Sequence, residues 1–185
     1  MFLLTPIPDP PNAEILPWYG KERTLPAYRF VPGLYPHPIR DPKGHSALRA
    51  ARAQIHPLWT PEEWPALEAY LHGIDLFNRF YFWESHEVWE ALWKSHPPQD
   101  DPALFIQGLI NLAASFLKLH MGSRSSTEKL WRASEERLTR FQGPPWMGIS
   151  VDPFLAEIRA YLNTGKDKNL PQIGESTPSI RLVVP

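Results

Sequence analysis

Prolines divide this chain into two parts of different character. Ten of its 22 prolines lie before Lys43, in the first quarter of a sequence of 185 residues. Each proline removes a backbone amide donor and drives the preceding residue towards extended geometry, so a regular helix is not expected there. The same segment carries Trp18, Tyr28 and Phe30, whose side chains can pack on a folded body. We therefore predict that residues 1–43 form an extended Pro-rich arm packed on the domain, with a loose tail as the alternative.

The rest of the chain has the apolar periodicity and the stop signals of α-helices. Thr60, Pro61 and Glu63 form a capping-box pattern at the start of one of them, and Pro65 is expected to interrupt it. The predicted helices are Ser46 to about Ile55, Thr60–Asn78, about Tyr81–Ser95, Asp101–His120, about Ser126–Phe141 and a short one from Asp152 to Asn163. The predicted fold is all-α, a single-domain bundle of five or six helices. The helical domain spans 44–163, and a flexible C-terminal tail follows at 164–185.

Charge and composition exclude several classes of function. The net charge is −1 and the pI about 6.7, so no basic excess points to nucleic acid or to an anionic membrane surface. Cysteine is absent, which excludes a disulfide framework, thiol catalysis and cysteine-based metal sites. The first residues lack the basic region of a signal peptide, and no apolar run reaches the ~20 residues that span a bilayer. We expect a cytoplasmic protein whose partner is unknown, and a homo-oligomer is left open.

The stretch Phe77–Trp93 packs aromatic residues around one histidine and three carboxylates. Helical spacing puts the core residues on one arc, which consists of Phe82, Ser85, Val88, Trp89, Leu92 and Trp93. His86 lies at the edge of that arc, and Glu90 is four residues further on the same side. Glu87 points more towards solvent and Glu84 towards the opposite flank. The candidate catalytic residues are therefore His86, Glu87 and Glu90.

Two other segments supply candidate ligand-binding or supporting residues. The end of the arm carries His37, Arg40 and His45 among rigid prolines, and the arm could deliver them to the same site. The simpler interpretation of that segment is a turn before a helix. The very apolar helix Asp101–His120 has a narrow polar stripe that includes Gln107 and Asn111.

The chemistry of His86 and Glu90 has three interpretations. Their i to i+4 spacing suits a shared metal ion or an acid/base pair. The HExxE motif lacks the second histidine of zinc proteases, and the chain lacks the Glu-x-x-His pairs of di-iron bundles. No cofactor is therefore expected, and a divalent metal on His86 and Glu90 is the lesser alternative. In the third interpretation His86, Glu90, Gln107 and Asn111 form a polar network between helices of a non-catalytic interaction module. Whether the chain is an enzyme stays open.

Three motifs occur in order along the helical part. They are Leu76-Phe77-Asn78 leading into His86-Glu87-Val88-x-Glu90-x-x-Trp93, then Phe105-x-Gln107-Gly108-Leu109-Ile110-x-Leu112-Ala113-Ala114, then His120-x-Gly122. Together they resemble the DUF309 family over about Leu71 to Leu162. The resemblance implies an all-helical bundle with no established activity. The chain departs from the family pattern at Asn111, where a Gln is common, and at Ser123-Arg124.

Overall fold

The structure, a computed structural model, describes residues 4–11, 13–46, 56–165 and 170–183. After the arm comes a 3-10 helix, Pro61–Ala66, and then five α-helices. They are α1 (Glu68–Asn78), α2 (Phe82–Trp93), α3 (Asp101–His120), α4 (Arg124–Leu138) and α5 (Val151–Asn163), with a second 3-10 helix at Thr139–Phe141. The all-α prediction is confirmed. Among the described residues the only β-type pairing is two isolated bridges, Trp146 with Ile149 and Ile149 with Leu182. The helix predicted before Pro57 falls on 47–55, outside the described residues.

The bundle begins at the capping-box and proline residues that precede α1. The amide of Thr60 donates to the Glu63 carboxylate at 2.7 Å, which satisfies one of the free donors at the start of the 3-10 helix. Pro65 lies inside that helix, and regular α-helix begins only at Glu68. The predicted interruption at Pro65 is therefore confirmed.

Helix α3 is the centre of the bundle. It packs against α2 on one side and α4 on the other. Among the described residues it is the one helix long and apolar enough to cross a membrane, and 67% of that apolar window is buried inside the protein. A central core helix has the same length and composition. The hydroxyls of Ser115 in α3 and Ser134 in α4 are buried between the two helices, where Ser115 donates to the Thr127 carbonyl of α4 and Ser134 to the Gly108 carbonyl of α3. These bonds satisfy the polar groups inside the helix contact.

Helices α1 and α2 approach closely at Gly73. The indole of Trp89 lies directly on this glycine, and its Nε1 donates to the Tyr70 carbonyl at 3.2 Å. Ser85 Oγ donates to the carbonyl of Gly73 at 2.9 Å. A side chain at residue 73 would separate the two helices, so this small residue fixes where α2 lies.

A tight turn joins α1 to α2. The Tyr81 amide donates back to the Leu76 carbonyl at 2.9 Å, and Phe80 adopts a left-handed backbone conformation with φ of 65°. That conformation costs a bulky residue about 1–2 kcal/mol. Phe80 is buried and its ring stacks 5.7 Å from that of Phe82, so packing offsets the strain. The turn sets the direction in which α2 leaves α1.

The arm is attached to α1 through two buried charged residues. Both carboxylate oxygens of Asp75 accept hydrogen bonds from the amides of Tyr19 and Gly20. Arg79 donates to the carbonyl of Leu16 at 2.9 Å, and its guanidinium lies 3.5 Å from the ring centre of Trp18. Burial raises the pKa of Asp75, because the arm and α1 shield it from water. These contacts fasten the middle of the arm.

His72 lies beside this attachment point. Its Nδ1 is buried without a hydrogen-bond partner in the described part of the chain. Burial lowers the pKa of His72, and the carboxylates of Glu22, Asp75 and Glu68 oppose that shift only in part. The folded protein therefore favours the neutral imidazole at this position.

The described part of the tail, 170–183, lies against the domain. Asn78 Nδ2 donates to the Ile180 carbonyl at 2.8 Å, and the Ile180 amide donates to Asn78 Oδ1 at 2.7 Å. Ile173 and Ile180 are buried, and the Val183 amide donates to the Gly148 carbonyl. This packing differs from the flexible tail predicted from its polar composition. The reason is that the buried amide of Asn78 needs a donor and an acceptor, and the tail backbone supplies both.

Candidate functional site

His86, Glu87 and Glu90 form one cluster on α2. A ring nitrogen of His86 and one carboxylate oxygen from each glutamate lie within 4.8 Å of one another. The closest approach is 3.4 Å, between His86 Nδ1 and Glu87 Oε1. The three side chains are 29%, 30% and 30% exposed, so they are mostly covered by their surroundings and still open to water. Among the described residues this is the one group of three or more such side chains that could hold a metal ion.

Helix geometry puts the cluster at the rim of the core. One face of α2 is fully buried and consists of Phe82, Ser85, Trp89 and Leu92. Residues three and four apart lie on the same side of a helix, which brings Glu90 beside both His86 and Glu87. Glu90 Oε1 also pairs with Lys94 Nζ at 3.0 Å, one further turn along. The site thus holds one imidazole, two carboxylates and one flanking ammonium group.

Gln107 and Asn111, the two residues of α3 that were predicted to support the site, form no hydrogen bond to its described residues. Gln107 Oε1 accepts a hydrogen bond from Arg137 Nε of α4 at 2.8 Å. Asn111 is half-buried on the same stripe. No hydrogen bond joins Glu90 to Gln107 or Asn111 within the part of the chain that the structure describes. The hydrogen bond between Gln107 and Arg137 therefore joins α3 to α4.

The structure places His45 on the far flank of α2. Its Nε2 lies 3.0 Å from Glu84 Oε1, which also accepts a hydrogen bond from the Phe30 amide at 2.9 Å. On the other side of the ring, Nδ1 lies 2.8 Å from Ser46 Oγ. The arm therefore brings His45 to Glu84 and not to His86.

His37 and Arg40, which belong to the arm, form no described contact with His86 either. The ring of His37 packs edge-on against Trp83 at 5.5 Å, and its Nδ1 accepts hydrogen bonds from the Ile39 and Arg40 amides. The Arg40 residue is exposed. His37 thus organises a turn before His45, as the simpler interpretation of this segment expects, while the helix expected after the turn lies outside the described residues.

Two buried carboxylates were missed by the sequence reasoning. Glu84 is 4% exposed and Asp75 is fully buried. Asp75 had an available signal, because it stands four residues before Arg79 in an otherwise apolar row. Glu84 had none, because its partners Phe30 and His45 belong to a distant segment of the chain.

The family comparison covers the helices that carry the cluster. The model of a family described as Domain of unknown function (DUF309) matches residues 70–130, from α1 into α4. No curated protein matches the chain. The matched segment contains His86, Glu87, Glu90, Gln107 and Asn111, whereas the arm lies before it. The resemblance drawn from the motifs is confirmed over residues 70–130, where the chain is similar to the DUF309 family, and the match does not extend to Leu162.

Proposed function

We propose that the cluster of His86, Glu87 and Glu90 is the functional site of this protein and that it binds a divalent metal ion. The observation that carries the proposal is the convergence of three ligand atoms of two chemical types within 4.8 Å on one helix turn. The HExxE motif supplies all three ligands from one element, so no rearrangement of the bundle is needed to assemble them.

The spacing is close to what a metal ion requires. A tetrahedral ion with ligand bonds of about 2.1 Å holds its ligand atoms about 3.4 Å apart. The His86 and Glu87 atoms already have this separation, at 3.4 Å. The other ligand atoms lie up to 4.8 Å apart, about 1.4 Å more than the ion requires. Side-chain rotation can close this difference, because both glutamates have three rotatable bonds and are partly exposed.

The donor set narrows the choice of ion. One imidazole and two carboxylates suit Zn²⁺, Mn²⁺, Fe²⁺ or Co²⁺ better than Ca²⁺, which prefers oxygen ligands alone. Three protein ligands leave at least one position open for water or for a substrate oxygen. An ion held in this way can polarise a carbonyl or phosphoryl group or acidify its bound water. A metal-dependent activity is thus compatible with the site.

Lys94 opposes the binding of a cation. Its Nζ forms an ion pair with Glu90 Oε1 at 3.0 Å, and a bound metal ion would displace it. Replacing it with glutamine frees the carboxylate and removes a like charge from the site. We expect Lys94→Gln to bind the metal more tightly than the original chain, and unchanged affinity would argue against Glu90 as a ligand.

Calorimetric titration with Zn²⁺ and Mn²⁺, together with Co²⁺ absorption spectra, tests the proposal. The original chain is expected to bind one ion at this site, and His86→Ala, Glu87→Gln and Glu90→Gln to weaken that binding. Glu128→Gln is the matched control, because Glu128 also pairs with a cation four residues away, Arg124 at 3.5 Å.

Loss of the Glu90–Lys94 or the Glu128–Arg124 ion pair lowers the free energy of unfolding by only about 0.3–0.5 kcal/mol, so the variants stay folded. No saturable binding by the original chain would refute the proposal. An equal loss in Glu128→Gln would refute the assignment to this cluster.

The competing interpretation is the non-catalytic interaction module. It requires Glu90 and His86 to be tied to Gln107 and Asn111, but Gln107 pairs with Arg137 and Glu90 with Lys94. The calorimetric titration separates the two interpretations, since a purely structural network binds no metal ion.

A further inference from the structure

Three residues form a continuous hydrogen-bonded line where the arm meets α2. Ser46 Oγ lies 2.8 Å from His45 Nδ1, and His45 Nε2 lies 3.0 Å from Glu84 Oε1. Hydroxyl, imidazole and carboxylate are therefore joined in series across segments 39 residues apart in sequence. This is the order of groups that activates a serine for nucleophilic attack.

The hydrogen bonds around His45 indicate which of its two ring nitrogens carries the hydrogen. Glu84 Oε1 already accepts from the Phe30 amide, so it faces His45 as an acceptor and Nε2 carries the hydrogen. In the neutral imidazole Nδ1 then has the lone pair, and the Ser46 hydroxyl donates to it. The arrangement makes His45 a base for Ser46. The nitrogens are exchanged relative to the usual triad, but both are equivalent as bases.

The surroundings hold the imidazole in this orientation. The His45 side chain is 6% exposed and that of Glu84 is 4% exposed. The ring of Tyr28 packs edge-on against the imidazole with centroids 4.6 Å apart. Ser46 is partly exposed at the end of the line, and its amide is bound to the Pro38 carbonyl. The base is thus enclosed, while Ser46, the residue that would react, is partly exposed.

We infer that Ser46 is a nucleophile for acyl transfer from carboxylic esters, with His45 as general base and Glu84 as the residue that positions it. Ser46 Oγ bonds to the ester carbonyl carbon while its proton passes to His45 Nδ1. The bond from that carbon to the alcohol oxygen breaks, and the alcohol leaves with the proton from His45. Water then attacks the acyl-serine by the same route, giving the carboxylic acid and free Ser46.

This site is separate from the metal cluster on α2. Glu84 and His86 are two residues apart and thus about 200° apart around the helix. His45 and Ser46 directly follow the arm and lie before the DUF309 match. The two proposals share no residue, so either can fail without the other.

Labelling with p-nitrophenyl acetate and with a fluorophosphonate probe, read by peptide mass mapping, tests the inference. The original chain is expected to carry the acetyl or phosphonyl group on Ser46. Ser46→Ala should lose that label. Glu84→Gln should slow labelling about 10²-fold or more, because the amide can donate to Nε2 and leave the hydrogen on Nδ1. Ser126→Ala is the matched control and should label normally, since Ser126 bonds to the hydroxyl of Ser123 and not to a histidine.

Circular dichroism verifies that the variants are folded. Absence of label on Ser46 in the original chain overturns the inference, and so does equal labelling of a folded His45→Gln variant. Ser46→Ala removes only a partly exposed hydroxyl, so its result does not depend on the stability of the arm.

Discussion

The contact between Gly73 and Trp89 makes a quantitative prediction about the bundle. A Cβ atom built on Gly73 falls 2.6 Å from Cδ1 and Cε2 of Trp89 and closer still to Nε1. Trp89 is fully buried, so it cannot move aside into water. Gly73→Ala must therefore push α1 and α2 apart or displace the indole.

The size of the effect follows from three contributions. Overpacking a buried site by one methyl group costs about 1–3 kcal/mol. Displacing the indole also breaks its bond to the Tyr70 carbonyl and leaves a buried donor unpaired, at a cost of about 1–3 kcal/mol. The better helix propensity of alanine returns about 1 kcal/mol. The expected net loss is about 3 kcal/mol, which in a domain of this size lowers Tm by about 6–12 °C.

Denaturant unfolding followed by circular dichroism measures this loss. Trp89→Phe should relieve it, because phenylalanine lacks the pyrrole atoms that the new methyl group meets. In that background we expect Gly73→Ala to cost clearly less than it does alone. Gly174→Ala is the control, since nothing lies within 4 Å of a Cβ at that residue. A loss below about 1 kcal/mol, or the same loss in both backgrounds, would refute the reasoning.

Further predictions concern the arm, the pH dependence and the tail. Asp75→Asn turns one acceptor towards a backbone amide into a donor, and we expect a loss of about 1–3 kcal/mol with faster proteolysis of the arm; an arm equally resistant to protease would contradict this. Because burial lowers the pKa of His72 in the folded state, the unfolded chain binds a proton more readily. The stability that this group contributes is present above about pH 6.5 and is lost as the pH falls towards its folded pKa. Denaturant titrations at several pH values should show this slope in the original chain and a flatter one in His72→Gln. Asn78→Ala removes both hydrogen bonds to Ile180. Hydrogen exchange at the Ile180 amide should then accelerate, and unchanged protection there would argue against the docked tail.

Much of the helical core could be predicted from the sequence, because its signals are local. Pro65 lies in a 3-10 helix, and regular α-helix begins only after it, at Glu68, as the missing amide donor of proline favours. The grouping of His86, Glu87 and Glu90 was also predictable, since residues three and four apart meet on any α-helix. The partners of these side chains were harder to predict. Gln107 was expected near Glu90, but it binds Arg137 of α4, which only the packing of α3 against α4 could bring close.

The sequence by itself determined where backbone hydrogen bonds close locally and where prolines prevent them. That was enough for the helices that the structure describes, the non-helical arm and the HExxE cluster. Only the tertiary structure decided that Glu84 meets His45 across 39 residues, and Asn78 meets Ile180 across 102. A helix bond joins residues four apart whatever the rest of the chain does. A buried polar side chain has to find its partner wherever packing brings one, and that place is set by the whole fold.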